Sequence, residues 1–219
     1  MIKIMQPEKT NLIRNILAVG GLILIFLVPY FYAQNPEGLL PEALLLAYFL
    51  PTFFLLSDES ERKFILSVLL IASLAETLNV AIGAYTYIGS TGVPNWVLIG
   101  WTCTAWALIN LNKMIKPNIE RNKTLAGLVA IFVLYAIFVS HSIENFFIAS
   151  FVVSAVLFSI KPKSYNIFII SVLFGMVIEF SGVFLFHAWS YQVGPDLSHL
   201  GAMYTFVYFI SSLISRYEL

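Results

Sequence analysis

Long apolar runs, with cations at every second gap between them, constrain this chain more than any other feature. Runs of 18 or more predominantly apolar residues read as transmembrane helices. Eight such runs are present, at about 12–33, 39–57, 62–83, 95–112, 123–141, 143–160, 164–186 and 197–215. Lys3, Lys9 and Arg14 flank the start of the first, and Arg62 and Lys63 lie between the second and third. Lys113, Lys116, Arg121 and Lys123 lie between the fourth and fifth, Lys161 and Lys163 between the sixth and seventh, and Arg216 follows the eighth. Eight spans place every Lys and Arg on one side, and the positive-inside rule makes that side cytoplasmic. Seven would scatter them. The expected fold is therefore an all-α polytopic protein of the cell membrane, with eight transmembrane helices and both termini cytoplasmic. Only 11% of the residues are charged, against roughly 25% in soluble domains, and no basic stretch is long enough to suggest nucleic acid. The first run is expected to be retained, because its apolar core exceeds a signal peptide's and no A-x-A site follows it.

The two halves look alike. Glu42, Ala47 and Ser57 in 41–57 align with Glu144, Ala149 and Ser159 in 142–160. "ILSVLLIASLAE" (65–76) aligns with "IISVLFGMVIE" (169–179) through one gap, placing Glu76 over Glu179. "GAYTY" (83–87) then aligns with "HAWSY" (187–191), and "VPNW" (93–96) with "GPDL" (194–197). The offsets run from 101 to 104 residues, as one duplication requires. Four spans per half is an even number, so both copies enter from the same side as parallel repeats about an axis along the membrane normal. One membrane domain, 1–219, is expected, with repeat 1 at about 7–112, repeat 2 at about 117–216, and a polar linker (112–123) broken by Pro117.

This topology sends the cations to one side, and His141, His187, His199, Glu37 and Asp196 to the other. Glu76 follows Lys63 by 13 residues, about 20 Å along a helix, which leaves it roughly 10 Å below the outer end near Gly83. A carboxylate at a helix centre costs about 2.5–3.5 kcal/mol on insertion scales, and intramembrane acids mark functional sites or interhelical bonds. Asn79 and Gly83 share the Glu76 stripe, while Ser171, Gly175, Glu179 and Gly182 form the matching one, with His187 following if that helix continues. Small residues let helices approach and polar ones join them, so the two stripes are expected to face each other. Desolvation disfavours ionisation of both acids and mutual repulsion disfavours it further for one. At least one then stays protonated and serves as a general acid. The competing reading is a structural bond between helices. Tyr85/Tyr87 and Trp189/Tyr191 read as interface anchors or as a lining whose ring faces stabilise a developing cation. Glu42 and Glu144 sit in first helical turns, where a carboxylate complements the dipole. Asn95 and Asp196 follow prolines as N-caps do.

Absences narrow the chemistry. The chain has no H-E-x-x-H, no i,i+4 His pair and no CxxC, so no metal site and no cofactor are expected. It has no D-x-x-x-D run for Mg²⁺-diphosphate chemistry, and no lysine within a span for a retinal Schiff base. Cys103, the lone cysteine, can form no internal disulfide.

The segment "LAETLNVAIGAYTYIGSTGVPNWVLIGW" (74–101) resembles the signature of integral-membrane carotenoid biosynthesis proteins, the group with carotenoid 1,2-hydratases of the bisanhydrobacterioruberin hydratase type. The positions that carry the resemblance are Glu76, Gly83, Tyr85, Tyr87, Gly92, Val93, Pro94 and Trp101, with Glu179, Trp189, Tyr191, Gly194 and Pro195 in the second half. The second half departs from the pattern in lacking further Asp residues and a closing Gly-Trp. The resemblance implies a hydratase, or a related lyase or isomerase, adding water to a terminal isoprenoid double bond by carboxyl acid–base catalysis. Glu76 is the expected acid and Glu179 the expected partner that activates water, with the reverse order equally allowed. Asn79, Tyr85, Tyr87, Trp96, Trp101, His187, Trp189 and Tyr191 are the expected substrate lining. The partner implied is a hydrophobic lipid or isoprenoid. A binder or transporter of a lipid or small solute, with a polar site between the repeats, and a structural membrane protein are the alternatives.

Overall fold

The computed structural model describes residues 7–114, 165–191 and 199–218, and these are mostly helical. Six α-helices are described: α1 (Pro7–Gln34), α2 (Leu40–Pro51), α3 (Glu59–Ala81), α4 (Asn95–Met114), α5 (Tyr165–Phe180) and α6 (His199–Ser215). α2 and α5 each run on into a π-helical turn, Thr52–Leu56 and Ser181–Leu185. Two three-residue strands, β1 (Tyr85–Tyr87) and β2 (Trp189–Tyr191), complete the described elements. Helices therefore occupy six of the eight expected spans. The other two, with His141, Glu144, Asp196, Gly194 and Pro195, lie outside the described residues.

Among the described residues, two helices are long and apolar enough to cross a membrane by length and composition, residues 11–34 and 59–81. The apolar segments 40–56, 169–185 and 206–215 are shorter. Eight spans are thus more than the described helices show. The outward surface is apolar even so. On α3, Leu66, Leu70, Leu74 and Leu78 repeat at i+4 and are exposed, while Glu61, Glu76 and Asn79 of the same helix are buried. That is the reverse of a surface helix in a water-soluble domain.

α4 is the core helix. It packs on α1, α2, α3 and α5, and every residue from Gly100 to Asn110 is buried. Cys103 is among them, fully buried with its thiol 3.6 Å from the Leu45 carbonyl, a packing position. α3 begins with a capping box, in which the Asp58 side chain accepts from the Glu61 N–H and the Glu61 side chain accepts from the Asp58 N–H. α2 has Pro41 in its first turn beside Glu42, where a missing N–H costs nothing. Its π turn follows Pro51, which has no N–H for the helical ladder, and Thr52 Oγ1 bonds back to the Tyr48 and Phe49 carbonyls.

Two antiparallel strands hold the site together. Tyr85 pairs with Tyr191, Thr86 with Ser190 and Tyr87 with Trp189. A left-handed residue leads into each strand, Gly83 at φ 75° and His187 at φ 53°. Such a backbone is open to glycine and uncommon for histidine. α5 does not continue from Glu179 to His187, because the π turn and this left-handed residue end it, and the helical stripe expected to carry His187 stops short.

Candidate functional site

Each strand folds back over the carboxylate of the helix before it. Glu76, buried on α3, accepts at Oε2 from the Tyr87 hydroxyl (2.9 Å) and the Tyr85 hydroxyl, and at Oε1 from Trp101 Nε1 of α4 (2.8 Å). Strand alternation explains the tyrosine pair: residues 85 and 87 point to one face and Thr86 to the other, where its hydroxyl lies 3.3 Å from that of Ser190. In the second segment, Trp189 Nε1 (3.0 Å) and the Tyr191 hydroxyl (2.8 Å) both donate to Glu179 Oε2. Glu179 Oε1 accepts no hydrogen bond among the described residues. Burial, then the charge of Glu76, pushes the Tyr85 and Tyr87 hydroxyls well above their ordinary value of 10.0. Burial, then Glu179, does the same to Tyr191. The three phenols stay neutral and keep donating.

Both carboxylates line one cavity of about 40 Å³, with Tyr87, Trp96, Trp101, Trp189 and Tyr204 as its aromatic walls. That volume holds a few water molecules. Ile25 and Pro29 of α1 close one side, Val97, Gly100 and Thr104 of α4 another, and Ile178 of α5 a third. Trp96 Nε1 is buried without an acceptor among the described residues, so this wall residue has a hydrogen bond to give. Gly182 allows the Trp189 indole to lie against the end of α5, because a Cβ there would overlap the ring.

Below the cavity an apolar groove of about 410 Å³ runs between α1 and α5. Leu22, Ile23 and Phe26 form its α1 wall, and Ile170, Leu173, Phe174 and Val177 its α5 wall. Groove and cavity occupy successive turns of the same two helix faces. Leu22, Phe26 and Pro29 follow one another on α1, and Phe174 and Ile178 on α5. The Phe174 ring meets the edge of Tyr204 between them, centroids 6.4 Å apart.

The expected site residues divide. Glu76, Glu179, Tyr87, Trp96, Trp101 and Trp189 line the cavity. Tyr85 and Tyr191 stand behind them as carboxylate donors, their rings 5.3 Å apart. Asn79 turns instead to α6, its amide 3.6 Å from the Met203 sulfur. His187 is exposed and outside the cavity. Of the seven lining residues that the sequence does not single out, two bear on the chemistry or the helix geometry. Tyr204 carries no motif. Pro29 did leave a signal, a proline inside an apolar run: it has no N–H for the Ile25 carbonyl, and both residues line the cavity.

Among the described residues no three His, Cys, Asp or Glu side chains group as a metal site. No family model, characterised protein or solved structure matches the chain.

Proposed function

We propose that this chain is a membrane-embedded acid–base catalyst, a hydratase or related lyase or isomerase, acting on the double bond of an isoprenoid-like hydrocarbon. The observation that carries this reading is that Glu76 and Glu179 line one small cavity while neutral donors alone hold them. The adjoining apolar groove suits a hydrocarbon chain, and the resemblance of residues 74–101 to carotenoid hydratases supports the substrate class. The apolar outward face of α3, the eight apolar runs and the one-sided cations support a multi-pass protein with cytoplasmic termini. The hairpin register supports a duplication. Pairs 85–191 and 87–189 exchange under a two-fold through Thr86 and Ser190, at the 104-residue offset by which the sequences align.

Donor numbers support one order of roles. Glu76 receives three hydrogen bonds over both of its oxygens, whereas Glu179 receives two on one oxygen and has the other open to carry a proton. Glu179 is the acid. It gives its proton to the less substituted carbon of the alkene, the π pair forms the new C–H bond, and a tertiary cation remains. The faces of Trp96, Trp189 and Tyr87 stabilise that cation. The oxygen of a cavity water bonds to it, and the surplus proton passes to Glu76 and back to Glu179, so none is gained or lost.

A second reading, a structural bond between helices, has its own support: every acceptor position used on Glu76 is filled from within the chain. One experiment separates the two. Glu76→Gln and Glu179→Gln are expressed in cells that make an acyclic carotenoid, with protein level and pigments followed together. Catalysis predicts normal protein level and loss of hydroxylated product in both variants. Unchanged product in both would end the acid–base role, and lost protein with lost product would favour the structural bond.

A further inference from the structure

Three indoles stand in the walls of the carboxylate cavity, and two have committed their N–H. Trp101 Nε1 donates to Glu76 at 2.8 Å and Trp189 Nε1 to Glu179 at 3.0 Å. The third is Trp96, in the first turn of α4. It is buried, and its Nε1 has no acceptor among the described residues. The rings packed against it are Tyr32, Tyr87 and Trp189, with centroids 5.1, 6.2 and 6.3 Å away. Their polar atoms are engaged elsewhere, the Tyr32 hydroxyl on the Ile88 carbonyl and the Tyr87 hydroxyl on Glu76. Trp96, Gly100 and Thr104 recur at i+4, which sets them on one face of α4, and all three line the cavity. The Thr104 hydroxyl closes on the Gly100 carbonyl at 2.8 Å. On the α4 wall, the Trp96 N–H is therefore the uncommitted donor.

The acceptors of the cavity are also incompletely used. An ionised carboxylate offers about four lone-pair sites. Glu76 fills three, two on Oε2 and one on Oε1, so one site on Oε1 remains. An ordered water needs roughly 10–15 Å³ and two to four polar partners, and this cavity of about 40 Å³ has both an open donor and an open acceptor on its walls. We propose that Trp96 is a positioning residue: its N–H holds the oxygen of one cavity water, and that water donates to Glu76 Oε1. The proposal rests on the acid–base reading above and places the water which that reading requires. With one lone pair on Trp96 and one O–H on Glu76, the other lone pair forms the C–O bond to the cation, and the surplus O–H proton leaves to Glu76. An indole N–H lies in the plane of its ring, so this water stands beside the face that meets the cation and not over it. Without a water held there, the cation has a second way out. A neighbouring C–H gives its proton to Glu76, the C–H electron pair closes a double bond, and an alkene leaves with no water added.

The test uses the purified full-length protein in nanodiscs loaded with an acyclic carotene, in D₂O. Wild type is compared with Trp96→Phe, which keeps a ring and removes the N–H. Hydrated carotene should fall by on the order of 10-fold or more, the scale set by a misplaced reactant, while deuterium still enters the recovered carotene. The ratio of hydrated to deuterium-exchanged carotene therefore drops. An unchanged or higher ratio, whether both products fall or both hold, overturns the proposal. A second arm, in H₂O, needs no turnover. The chain has four tryptophans, whose indole N–H signals in ¹⁵N NMR spectra are assigned by single Trp→Phe variants, and three folded variants suffice to assign all four. The Trp96 signal should show a cross-peak to bound water. Absence of that cross-peak, or the upfield signal of an N–H lying over a ring face, overturns the proposal. A wild type that puts no deuterium into carotene or product ends the acid–base reading, and with it the part of Trp96 in the reaction, while the cross-peak still decides whether Trp96 holds a water.

Discussion

α3 buries two glutamates, and they are held in opposite ways. Glu61, fully buried near its start, accepts from the Arg14 guanidinium and the Lys113 ammonium, with Arg14 also bonded to Asn110 and to the Leu56 carbonyl. Glu76, about 22 Å further along, is held by two phenols and an indole and meets no cation among the described residues. A cation fixes a buried carboxylate in its charged form, and removing either partner strands the other charge. Neutral donors orient a carboxylate without the formal opposite charge that pins its ionised form. The same residue type on one helix is therefore a clamp at one end and a candidate reagent at the other.

The largest expected effect tests the clamp. Glu61→Gln leaves the mostly buried Arg14 without its counter-charge, and the expected loss is about 3–5 kcal/mol, read as a sharply lower thermal midpoint or failure to accumulate. Glu76→Gln keeps the shape of its side chain. The Tyr85 or Tyr87 hydroxyl can turn to accept from the new amide, so the expected loss is about 1–3 kcal/mol. Equal destabilisation by the two variants would erase the distinction and make Glu76 a structural residue.

A middle-sized effect sharpens the comparison from the second hairpin. Gly182→Ala drives a Cβ into the Trp189 indole, and overpacking of this kind costs about 1–3 kcal/mol. The ring must move, taking its N–H from Glu179, so hydroxylated product should fall. Gly20→Ala is the control, since its new methyl meets nothing within 4 Å and exchanges a poor helix former for the best one, a gain of about 1 kcal/mol. If both variants behave alike, the Trp189–Glu179 contact does not position the carboxylate.

What was legible in the sequence follows from the same physics. Apolar length placed the helices, and a carboxylate within such a run, followed by Gly-x-Tyr-x-Tyr, could be recognised because the bilayer makes such a residue expensive. Glu61 gives no such signal, because it sits in "DESE" (58–61), an ordinary capping box, and nothing local reveals that Arg14 and Lys113 reach it from positions 47 and 52 residues away. Asn79 was misplaced because a helical stripe is wide enough to face two neighbours, and it faces α6 rather than the cavity. His187 was misplaced because a π turn shifts the register beyond it. Tyr204 gives no local sign, since a tyrosine in an apolar helix reads equally as packing or as anchor.

The smallest effect asks how much of the clamp is charge and how much is burial. Lys113 and Arg14 both donate to Glu61 Oε1, yet the Lys113 side chain is 49% exposed and that of Arg14 is 15% exposed. Water screens the first and not the second. Lys113→Met should lower stability by about 0.2–1 kcal/mol, with the loss shrinking as salt rises. Arg14→Met should cost several times more and hold across the salt series, because it leaves a carboxylate that has no exposure with only the half-exposed Lys113 ammonium as its counter-charge. Thermal midpoints of both variants over increasing NaCl make the comparison. Matched losses would mean that Glu61 answers to net positive charge at that end of the bundle rather than to the buried guanidinium, and the contrast with Glu76 would then rest on distance from the basic residues rather than on the kind of donor each carboxylate meets.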